Sequence, residues 1–304
     1  MSKMFTNLQI NCGFQKRNVF AFLVLIVIGT YGMVHFIKTT HMPIKEFCTE
    51  TSPPSVYTIC TWEVKKDDVI SGEIHRTGQW EPHVTQKLYY ILKQDSHITF
   101  IDIGANIGYF SLLAASLGQT VVSVEPWNQN IEKLRNSIHK NKFEDKITIL
   151  NNAVSNDRRV IHIHRPYKVN PGATRLLSDA TVTGPNVFSA ATITLNDLAD
   201  YSHTKDIVIK IDIEGNECRA LEKSNEIFDK FNVLFISMEW VVMRMFENET
   251  GTPCPRENID QMVKMLTKRN FEPFSFLNDV PLNPKKYEEW KETELYWKPR
   301  NAAR

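Results

Sequence analysis

The chain has 304 residues, of which 42% are hydrophobic and 23% are charged. Its 36 Lys and Arg nearly balance its 35 Asp and Glu, so the formal net charge of +1 gives no reason to expect a protein that coats nucleic acid. The 12 Gly and 14 Pro exclude fibrous and low-complexity classes, and the mean hydropathy of −0.30 excludes a polytopic membrane protein. The length allows one large domain or two small ones.

Near the start, residues 19–37 read VFAFLVLIVIGTYGMVHFI and contain no Asp, Glu, Lys or Arg. A membrane-spanning helix needs about 20 apolar residues, whereas a buried core helix would show a polar stripe. A cleaved signal peptide is the alternative, although its apolar region usually has about 7–15 residues. The segment therefore predicts a transmembrane signal anchor, with residues 1–18 as a short cytosolic tail.

The charges that flank this segment predict its orientation. Lys3, Lys16 and Arg17 precede it, and Lys38 and Lys45 follow it, which gives a modest bias toward a cytosolic N-terminus. The expected protein is a single-pass type II membrane protein whose catalytic domain lies in the lumen of the Golgi or endoplasmic reticulum. Secretion after cleavage of the segment remains the alternative.

Two features beyond the segment bear on this topology. A glycosylation sequon begins at Asn248 and is usable only on the lumenal side. Cys48, Cys60, Cys218 and Cys254 are enough for two disulfides in an oxidising compartment, with three pairings open. The short loop between Cys48 and Cys60 favours that pair.

Residues 38–66 contain Pro43, Pro53 and Pro54 among scattered Ser and Thr, which predicts a stem between the membrane and the domain. The domain is then expected to cover residues 67–304, beginning with a helix that includes Val84 and Leu88.

From residue 98 onward, short apolar runs alternate with segments of helical spacing. Such alternation predicts a parallel sheet with right-handed crossovers. Residues 155–195 interrupt it, with a hairpin arm at VIHIH and then a long loop. The predicted strands cover residues 98–104, 120–126, 147–154, 206–215, 233–240, 271–276 and 294–299, and the predicted helices cover residues 106–118, 128–141, 216–231 and 257–270.

The first predicted strand leads into a glycine-containing loop, Gly104 to Gly108, with Asp102 two residues before it. Glycine lets the backbone approach a ligand closely at the carboxyl end of a sheet. An acid facing that ligand suits an amino group better than a pyrophosphate. Glu125 ends the second strand, 21 residues beyond Gly104, where an acid accepts hydrogen bonds from ribose hydroxyls. With Asn106, these residues favour S-adenosylmethionine over NAD.

The segment FIDIGANIGYFSLLAASLGQTVVSVEP, followed by IVIKIDIEGNE, resembles the FkbM-type methyltransferases, and the chain is similar to membrane-anchored metazoan members of that family. The resemblance spans roughly residues 67 to 299. It implies a class I methyltransferase fold, an α/β Rossmann-like domain with a seven-stranded, mostly parallel sheet and helices on both faces. It also implies that the first motif and the acid after strand two hold the cofactor, that residues 152–155 contact adenine, and that the GQWEP phrase faces the same site. The implied cofactor residues are Glu81, Asp102, Gly104, Asn106, Gly108, Glu125, Asn152 and Ala153.

A second acidic motif follows at Lys210, Asp212 and Glu214, where three isoleucines alternate with the charged residues. In a strand this period places the charged groups on one side, and unpaired buried charge is unfavourable. Lys210 and Asp212 would then form either a structural ion pair or part of a catalytic site. Glu239 ends the next predicted strand in a matching position.

The acids of this motif allow two mechanisms. One carboxylate takes a proton from a substrate hydroxyl, or the three bind a divalent cation, Mg²⁺ or Mn²⁺, that polarises it. We predict Asp212 as base or ligand, with Glu214 and Glu239 assisting.

The predicted function is a membrane-anchored methyltransferase that uses S-adenosylmethionine to methylate a hydroxyl, with a glycan or another secretory-pathway molecule as acceptor. Its partners would be the cofactor, the acceptor and, through one helix, the membrane, but not nucleic acid. The alternatives are an N- or O-methyltransferase for a protein, lipid or small molecule, and a non-catalytic binding domain with the same fold.

Overall fold

A central sheet with helices on both faces organises the part of the chain that can be described. The computed structural model describes residues 46–164, 175–176, 184 and 186–300. The chain divides into two units, Met1–Glu46 and Phe47–Arg304, and every described helix and strand belongs to the second. The predicted cytosolic tail and signal anchor, residues 1–37, lie outside the described residues. Within the described ranges, no helix is both long and apolar enough to cross a membrane.

The elements are numbered along the chain. The strands are β1 (Phe47–Glu50), β2 (Thr58–Thr61), β3 (Ile98–Ile103), β4 (Thr120–Val124), β5 (Ile147–Leu150), β6 (Ala153–Val154), β7 (Val160–His164), β8 (Arg175–Leu176), β9 (Val187–Ile193), β10 (Asp206–Ile211), β11 (Asn232–Glu239), β12 (Phe271–Ser275) and β13 (Glu294–Pro299). The α-helices are α1 (Ile70–Thr77), α2 (Pro82–Leu92), α3 (Tyr109–Ser116), α4 (Asn128–Asn141), α5 (Glu217–Glu222), α6 (Asn225–Lys230), α7 (Val241–Phe246) and α8 (Arg256–Lys268). Two 3₁₀ helices cover Leu195–Tyr201 and Pro284–Glu289.

Among the described strands, seven form the central sheet in the order β12-β13-β11-β10-β3-β4-β5. The pairs from β11 to β5 are parallel, whereas β13 runs antiparallel to both of its neighbours. The expected seven-stranded, mostly parallel sheet is therefore confirmed. Because β13 runs the other way, its first residue lies at the edge where β3, β4, β10 and β11 end.

Apolar side chains on the two faces of the sheet form two cores. On one face, Phe100 and Val208 pack with α2, α3 and α4, and on the other, Ile101 and Ile209 pack with α5 and α8. Every residue of β3 is buried, as expected for a strand covered on both faces. Helices on both faces are thus confirmed.

A smaller second sheet has the order β6-β9-β7-β8. Its strands β7, β8 and β9 lie within residues 155–195, where the alternation of strands and helices is interrupted in the sequence. The predicted hairpin arm is confirmed as β7, which pairs antiparallel with β9. Two predictions are wrong here. Residues 147–154 are not one strand but β5 and β6 in different sheets, and residues 187–193 of the predicted loop form β9. Other parts of that loop lie outside the described residues.

The predicted stem also needs correction, because the folded unit starts at Phe47 instead of residue 67. Hairpin β1–β2 is bonded to α4, since the Cys60 amide donates to Ser137 Oγ at 2.8 Å and the Thr58 amide donates to Asn141 Oδ1 at 2.9 Å. Ile59 is fully buried, so apolar packing joins residues 47–66 to the domain despite their prolines.

Two disulfides join the four cysteines of this unit. Cys48–Cys60 links directly opposite residues of β1 and β2, which confirms the favoured pair. Cys218–Cys254 ties α5 to the segment that precedes α8.

Candidate active site

A cavity of about 350 Å³ opens at the carboxyl edge of β3, β4, β10 and β11. Its volume lies within the usual range for small-molecule sites, about 300–1,000 Å³. Most of the predicted site residues line it, from both halves of the sheet. They are Glu81, Gly104, Asn106, Glu125, Asn152, Ala153, Lys210, Asp212, Glu214 and Glu239.

We call Gly104, Asn106 and Glu125 the glycine wall of this cavity. Gly104 and Asn106 have φ values of 83° and 52°. A Cβ on Gly104 would lie 1.8 Å from the carbonyl oxygen of Asp212, so only glycine lets the loop after β3 lie against the loop after β10. The Asp212 amide donates to the Ile103 carbonyl at 3.0 Å, which fixes this approach.

Gly108 was predicted to contact the cofactor, but it does not line the cavity. Its φ is 89°, and a Cβ there would lie 2.2 Å from Leu134 Cδ1 on α4. Glycine at this position therefore serves helix packing at the start of α3.

Asp102 likewise does not line the cavity; it is 1% exposed and contacts α3. Ser111 Oγ donates to its Oδ2 at 2.6 Å, and Oδ1 has no hydrogen-bond partner among the described residues. Lys210 lies directly beside it on β10. Burial raises the pKa of Asp102, while the Lys210 ammonium acts to lower it. Asp102 is thus a counter-charge beneath the site, not the expected contact for a ligand's amino group.

Glu125 is 6% exposed, and protein donors hold both of its oxygens. Oε2 accepts from the Asn106 amide at 2.9 Å, and Oε1 accepts from the Trp127 amide at 3.0 Å. Burial nevertheless raises the pKa of Glu125 to about 7, against the effect of these hydrogen bonds. The carboxyl therefore shapes the loop after β3 as well as lining the cavity.

We call Lys210, Asp212, Glu214 and Glu239 the acidic wall. Lys210 Nζ donates to Asp212 Oδ2 at 2.7 Å and lies 4.8 Å from the centroid of the Phe110 ring. The ion pair considered from the sequence is formed, and Asp212 also reaches the cavity. Burial disfavours the Lys210 charge, but the carboxylates of Asp212, Glu81 and Asp102 overcome it and raise the pKa of Lys210.

Within the acidic wall, Glu239 has an Oε2 that is buried and has no hydrogen-bond partner among the described residues, as do Asp102 Oδ1 and Glu217 Oε2 behind the wall. Burial raises its pKa well above the ordinary value, and the negative charges of Asp212 and Glu217 add to the effect. Its environment therefore favours the protonated carboxyl over the carboxylate.

Glu217 belongs to the site's framework, although it was not predicted. It is fully buried at the start of α5, and its Oε1 accepts from the amides of Ile213 at 3.0 Å and Gly215 at 3.4 Å. These bonds hold the loop on which Glu214 has a φ of 54°. The sequence offered one sign of this role, because Glu217 directly follows the IDIEGN segment.

The three acids proposed as metal ligands do not come together at ligand spacing. The carboxylate oxygens of Asp212, Glu214 and Glu239 do not all lie within 4.8 Å of one another. As they are placed, these residues do not fit a divalent cation, and no step is derived through one.

An apolar wall was also missed, because it comes from the second sheet. Ile161 and Ile163 of β7 line the cavity, as do the aromatic residues Trp80 and Tyr109. Asn152 and Ala153 also line the cavity, and Ala153 packs against the cluster that contains Ile161 and Ile163. The cavity thus combines an apolar pocket with two polar walls.

A family model described as "Methyltransferase FkbM domain" matches residues 102–273, which include both polar walls. An O-methyltransferase from Bacillus cereus in complex with SAH is 12% identical, with 72% of this chain and 81% of that chain covered and a TM-score of 0.42. A putative O-methyltransferase from Klebsiella pneumoniae is also 12% identical, with 79% and 91% covered and a TM-score of 0.43. No curated protein sequence matches the chain.

Proposed function

The chain belongs to the FkbM methyltransferase family, and from that premise we propose that it transfers a methyl group from S-adenosylmethionine to a hydroxyl oxygen. The observation that carries the proposal is the cavity in which the glycine wall meets the acidic wall. The acceptor we propose is a glycan or another hydroxyl-rich molecule of the secretory pathway.

The residues of the cavity fit this cofactor. Gly104 lines the cavity, and because it has no Cβ the loop after β3 lies directly against the Asp212 carbonyl, which brings the two polar walls together. Glu125 and Asn152 would hold the nucleoside, Ile161 and Ile163 would cover its base, and the acidic wall complements a sulfonium charge. When bound, S-adenosylmethionine supplies an electrophilic methyl group.

We propose that Asp212 takes the proton of the acceptor hydroxyl. The Lys210 ammonium fixes the orientation of this carboxylate through its hydrogen bond to Oδ2. Glu239 carries the raised pKa and the unpartnered oxygen, and as a neutral carboxyl it would donate a hydrogen bond that orients the acceptor. Such positioning and proton transfer are the main contributions a protein can make to this reaction.

Cofactor binding and methyl transfer test the proposal separately. Calorimetry with S-adenosylmethionine comes first, followed by transfer of labelled methyl groups to a panel of glycans, proteins, lipids and small molecules. We expect Asp212→Asn to slow transfer by about 10²–10⁴-fold with little change in cofactor affinity. Asp260→Asn, an exposed carboxylate paired with Lys264, is the matched control.

The outcomes separate the alternatives. A wild-type chain that binds no cofactor contradicts the enzyme assignment and favours the non-catalytic domain. Transfer to a protein nitrogen or a lipid replaces the acceptor class. Transfer that Asp212→Asn leaves unchanged removes only the role of Asp212.

We further propose that the chain is a single-pass type II membrane protein with a lumenal catalytic domain. Two disulfides are typical of an oxidising compartment, and the sequon at Asn248 is exposed. Endoglycosidase treatment should increase the mobility of the wild-type chain on a gel but not that of Asn248→Gln. Protease protection in sealed microsomes tests the orientation, and N-terminal sequencing separates an anchor from a cleaved signal.

A further inference from the structure

Trp62 directly follows β2 and does not line the cavity, yet it contacts two residues that donate hydrogen bonds to Glu125. We propose that Trp62 is a positioning residue of the cofactor site, which holds the Glu125 carboxyl in its place on the glycine wall. The proposal rests on the proposed methyltransferase function, in which Glu125 binds the nucleoside of the cofactor. It gives a segment that precedes the central sheet a role in binding.

The first contact is a hydrogen bond to Asn130 on α4. Trp62 Nε1 donates to Asn130 Oδ1 at 3.0 Å, and Asn130 Nδ2 donates to Glu125 Oε1 at 3.4 Å. An indole N–H can only donate, so it requires the amide oxygen to face Trp62, and the NH₂ group then faces Glu125. The reverse orientation would set two donors against each other. Asn130 lines the cavity and is 2% exposed, so solvent does not set its orientation.

The second contact is a stack on Trp127. The ring centroids of Trp62 and Trp127 lie 4.9 Å apart, and the ring planes are inclined by 11°. The Trp127 amide donates to Glu125 Oε1 at 3.0 Å. Trp62 therefore contacts both of the described donors to this oxygen, whereas the Asn106 amide donates to Oε2. A change at Trp62 would release one oxygen of the carboxyl and leave the other held.

Trp62 is itself held in place by neighbours on two helices. Its amide donates at 3.1 Å to Ser71 Oγ on α1, and Ser71 Oγ donates at 2.6 Å to the buried carboxylate of Asp67. On α4, Lys133 Nζ lies 5.3 Å from the centroid of the Trp62 ring. The indole is thus fixed from several sides, as a residue must be if it is to orient another side chain.

Trp62→Phe in the full chain separates orientation from packing, because it keeps an aromatic ring beside Trp127 and removes the N–H donor. Trp290→Phe is the matched control. Trp290 is also half-buried and outside the cavity lining, and its Nε1 donates to the Asn283 carbonyl at 3.1 Å.

Calorimetry with S-adenosylhomocysteine and with methylthioadenosine, which carries the nucleoside without the amino acid, measures the effect. We expect Trp62→Phe to raise both Kd values by about 3–10-fold, the usual contribution of one hydrogen bond. Trp290→Phe should bind both compounds like the wild type.

A further readout would not respond to a general loss of structure. An acid at the position of Glu125 accepts hydrogen bonds from ribose hydroxyls, so the wild type should prefer methylthioadenosine to its deoxyribose analogue. The ratio of the two Kd values should fall in Trp62→Phe, because the carboxyl that recognises the hydroxyl is no longer held. An unchanged ratio would overturn the proposal.

A double-mutant cycle tests whether Trp62 acts through Asn130. Asn130→Ala should weaken nucleoside binding at least as much as Trp62→Phe does. The double variant should lose less than about twofold more affinity than Asn130→Ala alone, because both changes break one path to Glu125. Additive losses would show that Trp62 does not act through Asn130, and they would overturn the proposal.

NMR of the indole N–H groups serves as a measurement on the wild-type chain, should a variant fail to fold. Saturating methylthioadenosine should shift the signal of Trp62 and not that of Trp290, and an unmoved Trp62 signal would overturn the proposal. A wild-type chain that binds no S-adenosylmethionine contradicts the proposed function instead. The ligand-free Asn130→Ala variant still tests the contact in that case, since loss of the hydrogen bond should move the Trp62 signal.

Discussion

The two polar walls of the cavity hold their buried carboxyls in opposite ways. On the glycine wall, both oxygens of Glu125 accept from backbone amides. On the acidic wall, Oε2 of Glu239 has no hydrogen-bond partner among the described residues. Burial raises the pKa of both carboxyls, so burial alone does not distinguish them.

The difference indicates a division of labour. A carboxyl whose oxygens are bonded to the backbone fixes a loop, and the glycine wall is therefore suited to hold a ligand in one place. A carboxyl with an unused oxygen keeps its capacity to bond to something that arrives later. The acidic wall is thus the place where protons and an acceptor hydroxyl would be handled.

The largest expected effect breaks the glycine wall at its closest approach. Gly104→Ala places a Cβ 1.8 Å from the Asp212 carbonyl oxygen and should destabilise the fold by about 3–5 kcal/mol in urea unfolding. Gly118→Ala is the control, because its φ is 97° but a Cβ would meet no described atom within 4 Å. It should cost about 1–2 kcal/mol. If the two variants lose equal stability, backbone strain alone explains the need for glycine at position 104. The close approach of Gly104 to Asp212 would then make no separate contribution.

Breaking the acidic wall should have the next largest effect. Lys210→Met leaves Asp212 without its buried partner, and loss of one member of such a pair costs about 3–5 kcal/mol. Because Asp212 is 30% exposed, we expect a value near 3 kcal/mol by chemical denaturation. Lys264→Met breaks an exposed pair and should cost about 0–1 kcal/mol. Similar losses in the two variants would contradict the buried role of Lys210.

The pH dependence of the free energy of unfolding tests the raised pKa of Glu125 on the glycine wall. The folded-state pKa of Glu125 is about 7 against an ordinary value of 4.5, so the folded state binds its proton more tightly. Its stabilising contribution is present in full below pH 4.5 and lost as pH rises through 7, which corresponds to about 3 kcal/mol. Glu125→Gln should flatten the fall in the free energy of unfolding across this range.

The control for this titration is Glu144→Gln, whose carboxyl is exposed beside His139. It should leave the slope between pH 4.5 and 7 almost unchanged. If Glu125→Gln and the wild type show the same slope, the raised pKa of Glu125 does not contribute to stability.

The smallest expected loss of stability concerns the buried hydrogen bond between Ser111 and Asp102, behind the cavity walls. Ser111→Ala removes a 2.6 Å hydrogen bond to the buried carboxyl of Asp102 and should cost about 1.5–3 kcal/mol, near the lower end because Asp102 also faces Lys210. Ser116→Ala, in the same helix, loses its bonds to Ser55 and a backbone carbonyl and should cost about 1 kcal/mol. Thermal unfolding of both variants measures the difference, and a smaller loss for Ser111→Ala would be the contrary result.

The sequence was sufficient for the strands whose character is set locally. Runs such as ITFIDI are short and mostly apolar, as is typical of a strand covered on both faces. The second sheet was not predictable in the same way. Strand β9, VFSAATI, carries polar residues and is only partly buried, so its partner β7 determines it more than its own sequence does.

The site residues show the same contrast between features set by local sequence and features set by distant contacts. Most of the predicted site residues line the cavity, because parallel strands end at one edge of the sheet. Gly108 and Asp102 were assigned to the wrong partners, since their roles depend on Leu134 and Lys210, which are distant in sequence.

Strand β13 lies between β11 and β12, although it follows both along the chain. During synthesis, the two earlier strands must leave the ribosome and wait with a gap between them. The sheet is complete only once residues 294–299 have inserted into that gap. Until then the facing edges of β11 and β12 have no strand partner, and unpaired edges of this kind are where another chain can pair.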